Sequence, residues 1–143
     1  MGTFLSLAEL KTVSTMPIID KLIGFDDDIA EIIIEESISV MQGYMSRFYN
    51  VEDIFSKEGD KRHLATLKRL KDIVIYEIYE RHTRTQNAVA ARRYNEAMLW
   101  LEKLSTGELG DKTLPPVKKD DDGTTGQTGE SRFGGNTKYT SIY

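Results

Sequence analysis

The sequence contains no cysteine and only three prolines. Without cysteine there can be no disulfide bond and no thiolate metal site, and redox chemistry gives no indication of the compartment. No stretch approaches the roughly 20 consecutive apolar residues that a transmembrane helix needs. The first residues, Met1 to Ser6, also lack the basic and apolar regions of a secretory signal. The sequence therefore predicts a protein of a cytosol-like setting with no membrane partner.

The short motifs of well-known catalytic and ligand sites are also absent. There is no GxxxxGK[ST] phosphate loop, no HExxH zinc motif, no GxSxG nucleophile motif and no acidic loop with calcium spacing. His63 and His82 have no acidic partner at metal-ligand spacing, so both are interpreted as exposed surface histidines. The sequence thus indicates no catalytic residue, no cofactor and no metal, and we expect a protein that is not an enzyme.

The net charge of −4 results from 23 acidic and 19 basic residues. Acids and bases are equal in number from Gly110 onward, so the excess of acids lies in the preceding body, which argues against nucleic acid as the main partner. A basic cluster nevertheless occupies the segment that follows Asp60, in which a long helix is predicted below, and the residues after it: Lys61, Arg62, Lys68, Arg69, Lys71, Arg81, Arg84, Arg92 and Arg93. Acids are interspersed among them. The cluster fits a solvated face or a contact with an acidic protein, and direct DNA binding stays open as an alternative.

The start of the chain shows two short helical signals. Ser6 and Glu9 form a capping box, which predicts a short helix to about Val13. Pro17 then starts a second helical turn, because proline is favoured in the first turn of a helix. Gly24 is placed to end that turn.

A long core helix is predicted after Asp26-Asp27-Asp28. These acids are interpreted as capping residues rather than metal ligands, because a helix N-terminus favours negative charge. The helix is expected to run to about Phe48. Its inward face is predicted from residues at three- and four-residue steps: Ile29, Ile32, Ile33, Ser37, Val40, Met41, Tyr44, Met45 and Phe48.

Two further long helices are predicted in the second half of the body. Asn50 to Gly59 is interpreted as a polar connection that Ile54-Phe55 anchors in the core, and Asp60 as the cap of the next helix. The last helix runs from about Gln86 to Leu104, and Gly107 ends it. The predicted inward residues of the first of these helices are Leu64, Leu67, Leu70, Val74 and Ile78, and those of the second are Ala90, Tyr94, Ala97, Met98, Leu101 and Leu104. Trp100 is interpreted as a core or helix-packing residue rather than as a stacking platform.

The composition changes abruptly after the last predicted helix. Residues Gly110 to Tyr143 hold 6 of the chain's 11 glycines, which predicts a flexible linker rich in Gly, Thr and Asp over residues 110–131, after a helical bundle domain over residues 1–109. Residues 132–143 bring back aromatic and apolar side chains, and we interpret them as a docking segment. Its predicted partner-binding residues are Arg132, Phe133, Lys138, Tyr139, Ile142 and Tyr143. The predicted fold class is all-α: a small bundle of about four to five helices with a long extended C-terminal arm.

Three groups of residues resemble a known family. They are Phe4-Leu5-Ser6 with Glu9-Leu10; Ser37, Met41, Gly43-Tyr44-Met45 and Arg47-Phe48-Tyr49; and Arg93-Tyr94, Ala97, Trp100-Leu101, Leu104 and Gly107. In their order and spacing they are similar to the Mu-like prophage neck proteins of tailed bacteriophages, which belong beside the helical head-tail connectors under the portal. The resemblance spans the chain. It departs from the family at Asn50–Gly59, where a proline-containing turn is expected.

The resemblance implies a structural protein of the virion without catalytic activity. Members of the connector family form rings, commonly of twelve subunits, that bind the portal, extend the DNA channel and join the head to tail and neck proteins. For this chain it implies a homo-oligomeric ring at the head-tail junction, assembled in the host cytoplasm. DNA would pass through the channel without sequence-specific binding, and the C-terminal arm would dock on neighbouring subunits. The alternative is a helical nucleic-acid-binding or regulatory adaptor protein outside the virion.

Overall fold

The structure, a computed structural model, describes residues 4–81 and 87–117. Within these ranges there are five α-helices and two short 3-10 turns. The helices are α1 (Met16–Leu22), α2 (Asp27–Met45), α3 (Val51–Ser56), α4 (Leu64–Glu80) and α5 (Ala88–Thr106), and the 3-10 turns are Leu7–Thr12 and Gly59–Lys61. The predicted all-α bundle of four to five helices is confirmed. The docking segment and linker residues 118–131 lie outside the described residues.

Helices α2, α4 and α5 form the bundle, and α4 contacts both of the others. Helix α4 is the most deeply buried of the three, since Leu70, Val74 and Ile78 are completely inaccessible to solvent. Each such side chain contributes about 1.5 to 3 kcal/mol of hydrophobic stabilisation when it leaves water. All but the first residue of the apolar period that predicted α4, which is Leu64, are therefore buried in the bundle.

Side chains cap four of the helices and fix where they begin. Asp26 accepts a hydrogen bond from the backbone N–H of Asp28 at 3.1 Å, which confirms its predicted capping role. Asn50 caps α3 and Asn87 caps α5 in the same way, each through the backbone N–H group three residues further on. Gly107 ends α5 as predicted, with φ of +82°, a conformation that costs glycine little and other residues much more.

Some predicted inward residues face solvent. Ile32 and Val40 on α2 are 54% and 47% exposed, Phe48 is 37% exposed, and Leu64 at the start of α4 is 74% exposed. Ala30 and Ile34 are buried on α2 instead. The reason is geometric: Ile32-Ile33-Ile34 covers nearly the whole circumference of the helix, and two neighbouring helices can cover only part of it. The buried polar residue predicted on this face, Ser37, is confirmed.

The connection between α2 and α4 also differs from its prediction. The predicted polar connection from Asn50 to Gly59 contains a short helix, α3, which was not predicted, and Ile54 is buried as expected. Asp60 does not cap α4; it lies in a 3-10 turn, and His63 occupies the capping position. His63 is therefore not an exposed surface histidine. The other histidine, His82, lies outside the described residues.

Candidate functional site: the arm root and an apolar groove

None of the six predicted partner-binding residues falls within the described ranges. Arg132, Phe133, Lys138, Tyr139, Ile142 and Tyr143 all lie beyond Val117, the last described residue. The structure instead describes two features that bear on docking. One is residues 110–117, which we call the arm root because the predicted arm continues from them. The other is an open groove on the helical bundle.

The arm root packs against the body instead of starting a free linker. The backbone N–H of Asn50 donates to the carbonyl of Pro115 at 2.9 Å, and the N–H of Val117 donates to the carbonyl of Phe48 at 2.9 Å. Leu114 is 4% exposed and joins the core. The predicted domain boundary at residue 109 therefore comes too early, and the body extends to Val117. Sequence reasoning missed this because the contacts join residues far apart in the chain.

His63 fastens the arm root to the start of α4. Its Nδ1 accepts a hydrogen bond from the N–H of Thr66 at 3.2 Å, so Nδ1 carries no proton in this arrangement. Nε2 then carries the proton and donates to the hydroxyl oxygen of Thr113 at 2.6 Å. The Thr113 hydroxyl in turn donates to a carboxylate oxygen of Asp111. Burial raises the pKa of Asp111, but the hydrogen bonds from Thr113 and the nearby His63 outweigh it and hold that pKa below its usual value.

This Thr–His–Asp group is not arranged as a nucleophilic triad. In such a triad the imidazole accepts the hydroxyl proton, and the carboxylate holds the opposite ring nitrogen. Here Nε2 donates to Thr113, and Asp111 binds Thr113 rather than Nδ1. The hydrogen bonds run in one direction, from His63 through Thr113 to Asp111. Because Thr113 and Asp111 belong to the arm root and His63 precedes α4, these bonds hold the arm root against the body.

A second polar contact ties the N-terminal segment to the same region. The Arg62 guanidinium binds both carboxylate oxygens of Glu9, at 2.9 and 2.6 Å, and also donates to the carbonyl of Phe4 at 2.8 Å. The hydrogen bonds from Arg62 lower the pKa of Glu9 from 4.5 to about 2. The capping box that predicted this turn from Ser6 and Glu9 is present, but the contact with Arg62 is not visible from sequence spacing.

Most of the basic cluster is engaged with the body. Lys68 pairs with the buried carboxylate of Asp72 at 3.1 Å, and Arg92 pairs with Glu96 at 3.6 Å. Further contacts are made by Arg62 with Glu9, Arg69 over the Trp100 ring, Lys71 with Thr12 and Arg81 with the carbonyl of Leu22. Trp100 is half-buried against the core, as the helix-packing interpretation expects. Arg84 lies outside the described residues.

The α2–α4–α5 groove is an open cavity of about 510 Å³ between the three long helices. Its walls are mostly apolar and include two acids, one arginine and a serine. The complete lining is Ile29, Ile32, Ile33, Glu36, Ser37, Val40, Ile73, Glu77, Arg81, Tyr94 and Met98. The two α2 residues whose predicted burial was wrong, Ile32 and Val40, lie here. Three consecutive isoleucines were the sequence signal for such a surface, because a helix packed on one side cannot bury all of them.

The described part of the chain supplies no ion-pair partner for the acids of the groove. Glu36, Glu77 and the nearby Glu80 form no ion pair within residues 4–81 and 87–117. The pKa of Glu77 is raised, first by burial and then by repulsion from Glu80 and Glu36. The hydroxyl of Ser37 also has no hydrogen-bond partner among the described residues, although Ser37 is only 4% exposed. A partner with positive charge and apolar side chains would satisfy this surface.

The described ranges also bear on metal binding and on membrane insertion. No group of three His, Cys, Asp or Glu side chains there is placed to hold a metal ion. None of the helices that the structure describes is long and apolar enough to cross a membrane.

Comparison with known proteins adds no relative to this picture. No family model, no curated protein and no solved structure matches the chain. The resemblance to neck proteins therefore rests on the motif residues of the sequence alone.

Proposed function

We propose that this chain is a structural subunit of a tailed-phage head-tail connector, which assembles as a ring under the portal and uses residues 132–143 to dock on neighbouring subunits. In this role it has no catalytic activity. DNA passes through the ring without sequence-specific contacts, and the virion is its site of action.

The observation that carries the proposal is the meeting of two resemblance motifs at the arm root. Phe48 and Tyr49 come from the motif at the end of α2, and Gly107 comes from the motif in α5. The Phe48 ring lies so close to Gly107 that a Cβ atom there would be 3.3 Å from it. The Phe48 carbonyl accepts from Val117, and the Tyr49 hydroxyl accepts from the N–H of Asp111 at 3.1 Å. Motif residues distant in sequence thus support the position from which the predicted arm continues.

This arrangement suits an assembly protein. A fixed arm root gives residues 118–143 a defined starting point, and a fully extended chain of that length reaches about 90 Å. That reach is enough for a neighbouring subunit in a ring. Tethering would also raise the local concentration of the docking segment at its partner, so weak contacts can hold an assembly together.

The alternative of a nucleic-acid-binding adaptor has less support. It requires basic side chains that are available to phosphates, whereas six residues of the basic cluster already contact groups of the body: Arg62, Lys68, Arg69, Lys71, Arg81 and Arg92. Its test is duplex DNA binding at several salt concentrations, because phosphate contacts produce a steep salt dependence. Arg92→Ala with Arg93→Ala is the suitable variant, since Arg62→Ala would also break the pair with Glu9.

The direct test of the connector proposal is reconstitution with the portal protein encoded by the same genome. Light scattering and negative-stain electron microscopy of the mixture are expected to show a symmetric ring bound to the portal. A chain ending at Val117 is the matched control, and it is expected to bind more weakly because it lacks the docking segment. A full-length protein that stays monomeric beside the portal would overturn the proposal.

A further inference from the structure

The α2–α4–α5 groove presents apolar surface that the bundle itself does not cover. Ile32 and Val40 lie two helical turns apart along α2, and both are about half exposed. Among the described residues, these side chains cluster beside carboxylates that form no ion pair and a buried hydroxyl that has no hydrogen-bond partner. Such a combination is typical of a binding groove rather than of an ordinary solvated face.

The docking segment has the complementary chemistry. Residues 132–143 carry two basic side chains, Arg132 and Lys138, and no acidic side chain. The groove is acidic on balance: Glu36 and Glu77 form no ion pair in the described part of the chain, and its single arginine, Arg81, donates to the carbonyl of Leu22. The apolar side chains match as well, because those of the docking segment would cover the exposed Ile32 and Val40. The segment has four that are large: Phe133, Tyr139, Ile142 and Tyr143.

The length of the linker allows the segment to reach the groove of its own chain. The arm root ends at Val117, which is bonded to Phe48 just beyond the C-terminal end of α2. Glu36 in the groove lies about 14 Å from Met45, measured along the axis of α2 toward its N-terminus. A flexible linker of the length of residues 118–131 has a root-mean-square span of about 20 Å and reaches at most about 50 Å. The groove is therefore within easy reach, and the effective concentration of the tethered segment there is in the millimolar range.

We propose that in the isolated protein the docking segment of each chain occupies that chain's own α2–α4–α5 groove, with its basic side chains opposite Glu36 and Glu77 and its apolar side chains against Ile32 and Val40. The inference rests on the proposed function for the role of residues 132–143 as a protein-binding element. In a ring the same contacts would pass to a neighbouring subunit, as in domain swapping, so that assembly exchanges one set of contacts for an equivalent set.

The absence of cysteine makes a clean cross-linking test possible. In the full-length double variant Ile32→Cys, Ser141→Cys the two new thiols are the only ones in the chain. Mild oxidation is expected to join them within one molecule, which a non-reducing gel shows as a faster-migrating monomer and mass spectrometry of the linked peptides identifies. The matched control replaces Leu99 instead, because Leu99 on α5 is 52% exposed, close to the 54% of Ile32, but does not line the groove.

The Ile32 pair is expected to form the intramolecular disulfide at least about tenfold faster than the Leu99 pair at low protein concentration. Adding Glu36→Lys should slow it by a similar factor, and the further change Lys138→Glu should restore it by reversing both charges. Equal rates for the Ile32 and Leu99 pairs would overturn the inference. A disulfide that links two molecules instead of one would also overturn it, since the occupant would then be a neighbour's segment.

This experiment separates the inference from the proposed function. Rings on the portal without a faster Ile32 disulfide would leave the connector proposal standing and overturn the groove assignment. A faster intramolecular disulfide in a protein that forms no ring with the portal would support the groove and overturn the connector role.

Discussion

At the scale of single residues, Arg62 holds three parts of the body together. It contacts Glu9 in the first turn, the carbonyl of Phe4 before it, and the carbonyl of Gly59 in the loop before α4. Two parallel hydrogen bonds between a guanidinium and a carboxylate are stronger than a typical surface ion pair. This contact therefore stabilises the fold at neutral pH through the charged form of Glu9.

The stabilising effect of Glu9 depends on pH in a defined direction. Its folded-state pKa is about 2 and its ordinary value is 4.5. A carboxylate whose pKa is lower in the folded state adds stability above its unfolded pKa, and this contribution is lost as the pH falls through the folded one. We expect Glu9→Gln to lose about 1 to 2 kcal/mol at pH 7, because the side chain is partly exposed, and the difference from wild type to shrink between pH 4.5 and 2.

Urea denaturation at a series of pH values measures this difference. The control is Glu96→Gln, whose pair with Arg92 joins side chains that are 62% and 52% exposed, so its removal should change stability by less than about 0.5 kcal/mol. A Glu9→Gln variant as stable as wild type at pH 7 would contradict the role assigned to the Arg62 contact.

His63 makes two separable contributions, one to α4 and one to the arm root. We expect His63→Ala to lower the free energy of unfolding by about 1 kcal/mol through the missing helix cap. The loss of the hydrogen bond to Thr113 adds to this amount. His63→Asn restores a capping oxygen but does not reach Thr113, so its stability should fall between those of wild type and His63→Ala. Thermal denaturation of the three proteins gives the order, and an alanine variant as stable as wild type would refute both roles.

At the scale of the elements, the end of α5 requires glycine. Gly107 has φ of +82°, and a Cβ atom there would press on the Phe48 ring. Gly107→Ala should therefore cost about 1 to 2 kcal/mol. Gly43→Ala is the matched control, because Gly43 lies inside α2 with nothing within 4 Å of an added Cβ, and it should stabilise the protein by about 0.5 to 1 kcal/mol. Chemical denaturation is expected to show changes of opposite sign in the free energy of unfolding for the two variants. Changes of the same sign would contradict this description.

Some elements of the fold can be predicted from local sequence, and others cannot. Helices α2, α4 and α5 were predictable because their apolar periods are local signals, and the Asp26 cap of α2 is a local signal as well. Helix α3 was not, since a short helix depends on contacts such as Ile54 with the distant core. The capping role of His63 was missed although its partner Thr66 is local, because Asp60 is the more usual type of capping residue. The arm root was missed because its partners lie far along the chain. Nothing in the structure tests the docking residues 132–143, so they stay a prediction.

The arm root gives a prediction for the whole molecule. A chain that ends at Val117 keeps Leu114 in the core and the backbone bonds to Phe48 and Asn50, whereas a chain that ends at Leu109 loses them. We expect the shorter chain to be less stable by about 2 to 4 kcal/mol than the chain that ends at Val117. Urea denaturation of both provides the comparison. Equal stabilities would mean that residues 110–117 belong to the linker after all.

The ring itself is the central claim, and electron cryomicroscopy of virions produced from the genome that encodes this sequence tests it most directly. The account predicts a symmetric ring of this chain beneath the portal, with the body fold of residues 4–117 and with residues 132–143 ordered against the α2–α4–α5 groove of a neighbouring subunit. Purified virions that lack the chain would contradict the account.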